Sequence, residues 1–521
     1  MKHPSIRTSL ASAALLVLSL PAAQAGETVD LGDGLKFDWS LGTTYALGVR
    51  TKSPNPLLAS DATNFTGNDG NNNFKKGALT TNRVSALFES KLAKGDTGMV
   101  LTGSTFYDQV YHGRTDYNGS TIPNTPPPYD RFTPTARHMQ GGYSRLLDTY
   151  AFTTVNLGAE KKLDLRVGRQ VVNWGEATFF ANISGAQGPF DGAKSDIPGT
   201  EVKEAILPED QISAALQLSP DFTLLGHWQF GFHETILPAV GSFQSNDDLL
   251  GPGGSCLGVY DKAGTCHGLP RTQDQRPKKT GQWGIGGRYR LSSETEVGLY
   301  YLNYNDRSPA LIFAPDFSGY SVRYFDNVKM LAGTVSTTFG KVSAYGELSY
   351  RQGAPVMVGM RDDPEMPAYV RGNVTQLNVG GFYNVGRTPL APDMQILAEI
   401  SGVKVNSISG GYGFNELFFK TRNSLAFAGT WLLGYPGIAE GWDLSVPISY
   451  SHQLRGRSLV GSFGGGQGDH RYSVGATFTK NNNLSFSVAY VGYLGGASLD
   501  AKKDRSMVDR DQLTFTAKYM F

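Results

Sequence analysis

From Leu35 onward the dominant period along the chain is two. Leu35, Phe37, Trp39, Leu41, Thr43, Tyr45, Leu47 and Val49 fall on one face, and Lys36, Asp38, Ser40, Gly42, Thr44, Ala46, Gly48 and Arg50 on the other. Alternation of this kind predicts a strand with one apolar and one polar side. It recurs near the end in Trp442, Leu444, Val446, Ile448 and Tyr450, then Tyr472, Val474, Ala476 and Phe478, then Leu484, Phe486, Val488 and Tyr490. The polar faces are rich in Gly, Ser and Thr rather than Lys and Glu, and aromatic residues recur on the apolar faces. Both features fit a barrel with lipid outside and water inside.

About 18 strands are predicted (16–20 fit the pattern). They begin near Leu35, Thr81, Gly98, Leu146, Lys162, Gln211, Phe222, Gly281, Glu296, Asn327, Val342, Asn373, Met394, Arg422, Trp442, Arg471, Leu484 and Gln512. The segments near Leu146 and Gln211 carry the faintest pattern. Short connections, such as Lys94-Gly95-Asp96 and Asn481-Asn482-Asn483, alternate with long ones at residues 51–80, 112–145, 173–210 and 234–280. This rhythm is that of periplasmic turns and external loops. The expected fold is therefore all-β: a transmembrane antiparallel β-barrel with long external loops and both termini on the periplasmic side.

Composition and the N-terminus sharpen this. Of 521 residues, 64 are glycine, and only 18% are charged. The 40% hydrophobic content is too low for a helical membrane protein, and a net charge of +1 gives no reason to expect nucleic acid. Residues 1–25 read as a secretory signal peptide: Lys2 and Arg7, an apolar stretch from Leu10 to Leu20, and Ala23-Gln24-Ala25 as the cleavage signal. Residues 26–34 form a short lead and 35–521 the barrel. So short a lead argues against a plug domain or secreted passenger. The final strand puts Leu513, Phe515, Ala517, Tyr519 and Phe521 on one face. Tyr519 and Phe521 resemble the terminal signal read by the barrel-assembly machinery.

Three segments carry a family resemblance: 67–77 (GNDGNNNFKKG), 168–176 (GRQVVNWGE) and 197–204 (IPGTEVKE). In order and spacing the chain resembles the domain-of-unknown-function 1302 family of Gram-negative bacteria. The resemblance implies an outer-membrane barrel exported with a signal peptide. The family's association with export-type transporters implies lipid-like or hydrophobic cargo. It supplies no catalytic residues.

The candidate site is the third external loop, residues 174–210, expected to fold into the lumen. Phe179, Phe180, Ile183, Phe190, Ile206 and Leu207 need burial there, and a short helix from Thr200 to Leu207 is capped by Thr200 and stopped by Pro208. Its charged groups Asp191, Lys194, Asp196, Glu201, Lys203 and Glu204, with the wall groups Arg166, Gln170, Arg288 and Arg290, are the expected pore constriction. Further wall charges are Arg83, Glu89, Lys91, Asp164, Glu347, Arg351 and Glu399. Arg169 falls on the lipid-facing side by alternation and is expected either near the outer rim or turned inward by a bulge. Cys256 and Cys266 are expected to form a disulfide in the fourth external loop; with His267 alone they are an incomplete zinc site. The stretch 68–73 is expected to form an asparagine–glycine turn, since it lacks the spaced carboxylates of a calcium loop.

No cofactor or catalytic motif is indicated. The leading expectation is a porin-like channel in the Gram-negative outer membrane for small molecules, hydrophobic ones included. Its partners are then outer-membrane lipid and a small-molecule permeant. A second class is an export barrel working with an inner-membrane pump or periplasmic carrier; single-channel conductance of the purified barrel, with and without candidate compounds, bears most directly on the choice. A third is a barrel lipid hydrolase using His227 or His233, for which no serine is assignable.

Overall fold

The computed structural model describes residues 26, 28–158, 160–457 and 465–521. The signal peptide expected at 1–25 lies outside the described residues. Eighteen strands form the wall: β1 (Leu35–Arg50), β2 (Leu79–Lys94), β3 (Thr97–Asp108), β4 (Ser144–Asn156), β5 (Lys162–Gln170), β6 (Glu209–Ser219), β7 (Phe222–Gln229), β8 (Gln282–Arg290) and β9 (Thr295–Tyr304) come first. They are followed by β10 (Val328–Phe339), β11 (Val342–Gly359), β12 (Pro367–Asn384), β13 (Asp393–Ile408), β14 (Asn423–Ala439), β15 (Trp442–Arg455), β16 (His470–Lys480), β17 (Leu484–Leu494) and β18 (Gln512–Met520). Each pairs antiparallel with its neighbours. β18 closes the ring on β1, from Gly42↔Met520 to Arg50↔Gln512. Closure leaves no edge strand in the ring, which a strand structure in lipid requires.

The alternation read from sequence sets the two faces. Along β1, Ala46, Gly48 and Arg50 are buried inward while Tyr45 is exposed outward. The outward belt includes Val84, Met99, Leu299, Leu331, Leu377 and Val488, all exposed apolar side chains. A closed barrel with such a belt is an integral outer-membrane protein, crossing the bilayer with every strand.

The hydrophobic core lies inside the barrel. Val328, Met330 and Ala332 of β10, Val356 of β11, Val374 of β12, and Val403 and Val405 of β13 form one buried cluster with Trp174, Ile183 and Ala186 of the third external loop. Thus in the outer half of the barrel the inner face of these strands is apolar, and the loop covers it. A second cluster, Phe74, Tyr111, Phe132, Ala136, Ala239 and Phe243, joins the first, second and fourth external loops into a cap.

The disulfide links Cys256 and Cys266 (Cα–Cα 5.8 Å), bridging the hairpin Cys256–Tyr260/Cys266–Pro270 in the fourth loop. His267 pairs with Asp261 at 3.0 Å. Residues 68–73 depart from expectation. Asp69–Asn72 form a short helical turn, and Asn68, Asp69 and Asn71 are buried. The cause is Arg50, whose buried guanidinium donates to the carbonyls of Asn71 and Phe74 and to Asn71 Oδ1, pulling the segment into the cap.

At the seam, the Phe521 N–H donates to the Leu41 carbonyl at 2.9 Å, and the Tyr519 and Phe521 rings meet edge to face at 4.7 Å. Replacing Phe521 with Asp is expected to cut the amount of heat-modifiable barrel in the outer membrane by about tenfold. A charge there removes the last aromatic of the belt at the closing seam. Wild-type amounts would refute the role of Phe521.

Candidate functional site: a loop across the lumen

After β5 the chain leaves the wall and folds inward. Its first half is held by two carboxylates of the far wall. Glu347 of β11 accepts from the backbone N–H groups of Glu176 (2.8 Å), Ala177 (3.2 Å) and Ile183 (2.7 Å). Glu399 of β13 accepts from those of Thr178 (2.7 Å) and Phe179 (2.8 Å), and from the Tyr345 hydroxyl (2.8 Å). Asn378 of β12 donates to the Phe180 carbonyl at 2.6 Å, and Arg351 donates to Asn182 Oδ1 at 2.8 Å. Buried carboxylates are tolerable only when their lone pairs are filled, and here backbone donors fill them.

The second half of the loop reaches the opposite side of the ring. Lys203 pairs with Glu89 of β2 (2.5 Å) and Glu201 (3.0 Å), and Lys518 of β18 pairs with Glu201 (2.5 Å). The Gln512 side chain of β18 donates to the Asp196 carbonyl at 3.5 Å. β1, β2 and β18 stand across the ring from β11 and β13, so the loop spans the lumen. Two glycines permit the contacts at either end. A Cβ on Gly175 would stand 2.6 Å from Glu347 Oε2, and one on Gly199, where φ is +76°, 2.8 Å from Thr44 Cγ2.

Between these anchors lies a buried charge cluster. Asp191 is fully buried and accepts from Arg145 (2.8 Å) and the Tyr143 hydroxyl (3.2 Å). Lys194 pairs with Glu204 at 3.4 Å, and burial lowers its pKa against the pull of Glu204 and Asp191. Burial raises Glu201 and lowers Lys203, but their cross-pairing with Lys518 and Glu89 wins in both. Glu201 ends below its ordinary value and Lys203 above, so both stay charged.

Several expected site residues sit differently. The short helix is Val202–Ala205 rather than Thr200 to Leu207. Its cap is Glu201, with Glu204 reaching back to the Glu201 N–H in a capping box. Thr200 is one residue too early because the Glu201–Glu204 exchange starts the turn. Phe180, Ile183 and Leu207 are buried, whereas Phe190 and Ile206 remain exposed. Asp196 is exposed on the loop. Arg288 reaches the loop, donating to the Trp174 carbonyl at 3.3 Å. Gln170 is spent within the wall on Gln211 and Ser213. Arg166 lies over the Tyr150 ring (5.5 Å) rather than against a loop carboxylate, and Arg290 is exposed at the periplasmic end of β8. Arg145 and Tyr143 were not singled out by sequence. They flank the start of β4, where the register with β3 shifts between Leu101 and Gly103 and the alternation is lost. Arg169 sits at the outer end of β5 and pairs with Asp210 (3.0 Å). His233 pairs with Glu209 (3.0 Å), and His227 packs on Trp174 (4.9 Å between rings).

The cap above the loop carries its own titratable group. Asp69 is buried beside Asp248, which accepts from its backbone N–H at 3.2 Å, with Asp61, Asp247 and Arg510 near by. Burial raises Asp69 from 3.8 to about 7. Burial raises the coupled Asp248 as well, so the folded cap holds protons on this pair that the open loop releases, and docking is strongest at acid pH and weakens as pH rises. Amide exchange in residues 61–73 and 242–248 is expected to be faster at about pH 8 than at about pH 5, after correction for intrinsic rates, and the double replacement of Asp69 and Asp248 by Asn to flatten the difference. Equal protection at both pH values in the unaltered protein would overturn it.

A closed barrel of 18 strands with a loop tied across its lumen defines the class: an outer-membrane barrel of porin-like build. The chain belongs to the family described as protein of unknown function (DUF1302), whose model matches residues 6–521. No curated protein matches it. Among solved structures it is similar to OccAB2 of Acinetobacter baumannii (10% identity, 93% of this chain and 98% of that one, TM-score 0.42). It is likewise similar to OccD3 (OpdP) of Pseudomonas aeruginosa (10%, 97% and 97%, 0.42) and to the outer membrane channel DcaP of Acinetobacter baumannii (11%, 96% and 100%, 0.38). These likenesses are distant, so the function of the chain is inferred from its own residues.

Proposed function

We propose that the protein is a passive outer-membrane channel for small molecules, hydrophobic ones included, and that residues 174–210 form its selectivity constriction. The observation that carries this is the two-sided tethering of the loop, by Glu347 and Glu399 on one wall and by Glu89 and Lys518 on the other. A segment held at both ends divides the lumen, and permeants pass beside it. On one side the wall carries Glu89, Lys91, Asp164, Arg166, Arg288 and Lys518. On the other, Phe382 and Leu397 are register partners on the lumen face, as are Leu432 and Pro447. A permeant with an apolar body and a polar end meets a matching surface on each side.

Charge reversal tests the reading. Lys203 is half-exposed, and carboxylates and cations in a narrow pore are less screened than at a surface. Lys203→Glu is expected to shift the reversal potential in a salt gradient toward cation preference. Identical selectivity in a variant that inserts normally would remove Lys203 from the filter.

A further inference from the structure

The wall has a notch at its outer rim. β4 and β5 pair from Asn156↔Lys162 to Thr149↔Arg169, and there the pairing stops because β5 ends at Gln170 and the chain turns inward. β4 continues to Ser144, paired only with β3. The edge of residues 144–148 that faces β5 therefore has no strand beside it, and the last tie is the Val171 N–H donating to Asp148 Oδ1 at 3.1 Å. The register shift between Leu101 and Gly103 lies at the same level. Overhangs occur elsewhere at the outer rim, as where residues 354–359 of β11 pair only with β12; what sets this one apart is the cavity that opens beside it.

Behind the notch is a cavity of about 590 Å³, within the 300–1,000 Å³ typical of small-molecule sites. Its lining joins the two sides of the wall. Leu146 and Arg169 contribute from the lipid-facing side, as their partners Gly103 and Thr149 require, and Leu146 is 55% exposed. Leu207, Ile236, Leu250 and Tyr324 contribute from the loops inside. The space is thus continuous from the outer surface of the barrel to the underside of the fourth external loop.

The polar groups at this cavity are already matched. Arg169 pairs with Asp210 (3.0 Å), Arg271 with Asp274 (3.0 Å), and Arg276 with Glu234 (2.8 Å). An entering anion would have to displace a built carboxylate. A neutral oxygen only needs one further N–H: Arg169 and Arg276 hold their carboxylates through Nε and Nη2 and have Nη1 to offer, whereas Arg271 gives its Nη1 to the loop carbonyls of residues 249–254. Apolar walls, an opening toward lipid and balanced charge together select one class of ligand.

We propose that the notch at residues 144–148 and the cavity behind it form a side portal that binds a small, membrane-soluble apolar molecule bearing one uncharged oxygen function, such as an alcohol, ketone or ester. The portal is independent of the constriction proposed above: it opens sideways to the outer leaflet, and its test does not read conductance.

The test uses the purified full barrel in lipid nanodiscs and a photoreactive probe, diazirine-bearing hexadecanol, with labelled peptides located by mass spectrometry. Labelling is expected to concentrate in the peptides carrying residues 144–148 and 233–237, and to be displaced by unlabelled hexadecanol. Leu146→Trp, which fills the mouth from its lipid-facing side, is expected to lower that labelling about tenfold while labelling elsewhere on the belt stays constant. The corresponding diazirine-bearing carboxylic acid is expected to label no more strongly than the alcohol. Labelling spread evenly around the belt, or unchanged in a heat-modifiable Leu146→Trp barrel, would overturn the portal. Labelling about tenfold stronger with the acid would overturn the neutral-ligand assignment.

Discussion

Deleting Gln187 to Glu204 while leaving every wall strand intact is expected to raise single-channel conductance by at least about twofold and to broaden the range of permeants. The segment holds the buried Asp191–Arg145 and Lys194–Glu204 pairs and the Glu201–Lys203 contacts with Lys518 and Glu89. Removing it takes away the crossing half of the loop and leaves the anchored half, residues 174–186, on the far wall. Arg145 loses its buried carboxylate partner, but it is itself half-buried and gains access to water in the widened lumen. The deletion should therefore insert and close normally. A heat-modifiable deletion barrel with unaltered conductance and selectivity would show that the segment does not limit flow.

Glu347→Ala should undo the other attachment. Three loop N–H groups, at Glu176, Ala177 and Ile183, lose their acceptor together, in a place where Glu347 is fully buried. Each buried donor left without a partner costs about 1–3 kcal/mol, so docking of residues 176–183 should weaken by about 3 kcal/mol or more. That corresponds to amide exchange faster on the order of 100-fold for those residues, with the wall strands unchanged. The same variant should show frequent current fluctuations where the unaltered channel is steady. Protection equal to that of the unaltered protein would mean that Glu347 does not hold the loop. Glu399 is the control for position, because it holds the adjacent N–H groups of Thr178 and Phe179 by the same chemistry.

The wall was legible because a lipid-facing side chain and a lumen-facing one differ in kind at nearly every step. Seventeen strand starts fall within two residues of those read from alternation; β12 begins six earlier, at Pro367 rather than Asn373. The extension of β12 pairs with β11 beyond a bulge between Gln352 and Ala354. There the inward positions shift from Ser349 and Arg351 to Ala354, Val356 and Val358, so no single period spans the strand. The inner face is also apolar there, since Val356 and Val374 pack under the loop. The same loss of contrast hid Arg145 beside the bulge in β4.

The inward loop was legible from its length, its apolar residues and its place after the fifth strand. Its attachments were not. Glu347 and Glu399 are recognisable as wall charges, yet their partners are backbone N–H groups, which leave no mark in a sequence. The cross-lumen pairs of Lys203 with Glu89 and of Lys518 with Glu201 join residues more than a hundred positions apart, and only closure of the ring brings them together. The cap is hidden in the sequence for a related reason. The polar run at 68–73 looks like a surface turn until Arg50, at the end of β1, is seen to claim its carbonyls.

The most direct measurement is chemical modification of one position during recording. In Lys203→Cys, single-channel current is followed while a bulky, charged thiol reagent is added, with completeness of the reaction checked by mass. If residues 174–210 form the constriction, modification cuts the current by at least about half and shifts ion preference according to the reagent's charge. Complete modification with unaltered current and selectivity would contradict the account.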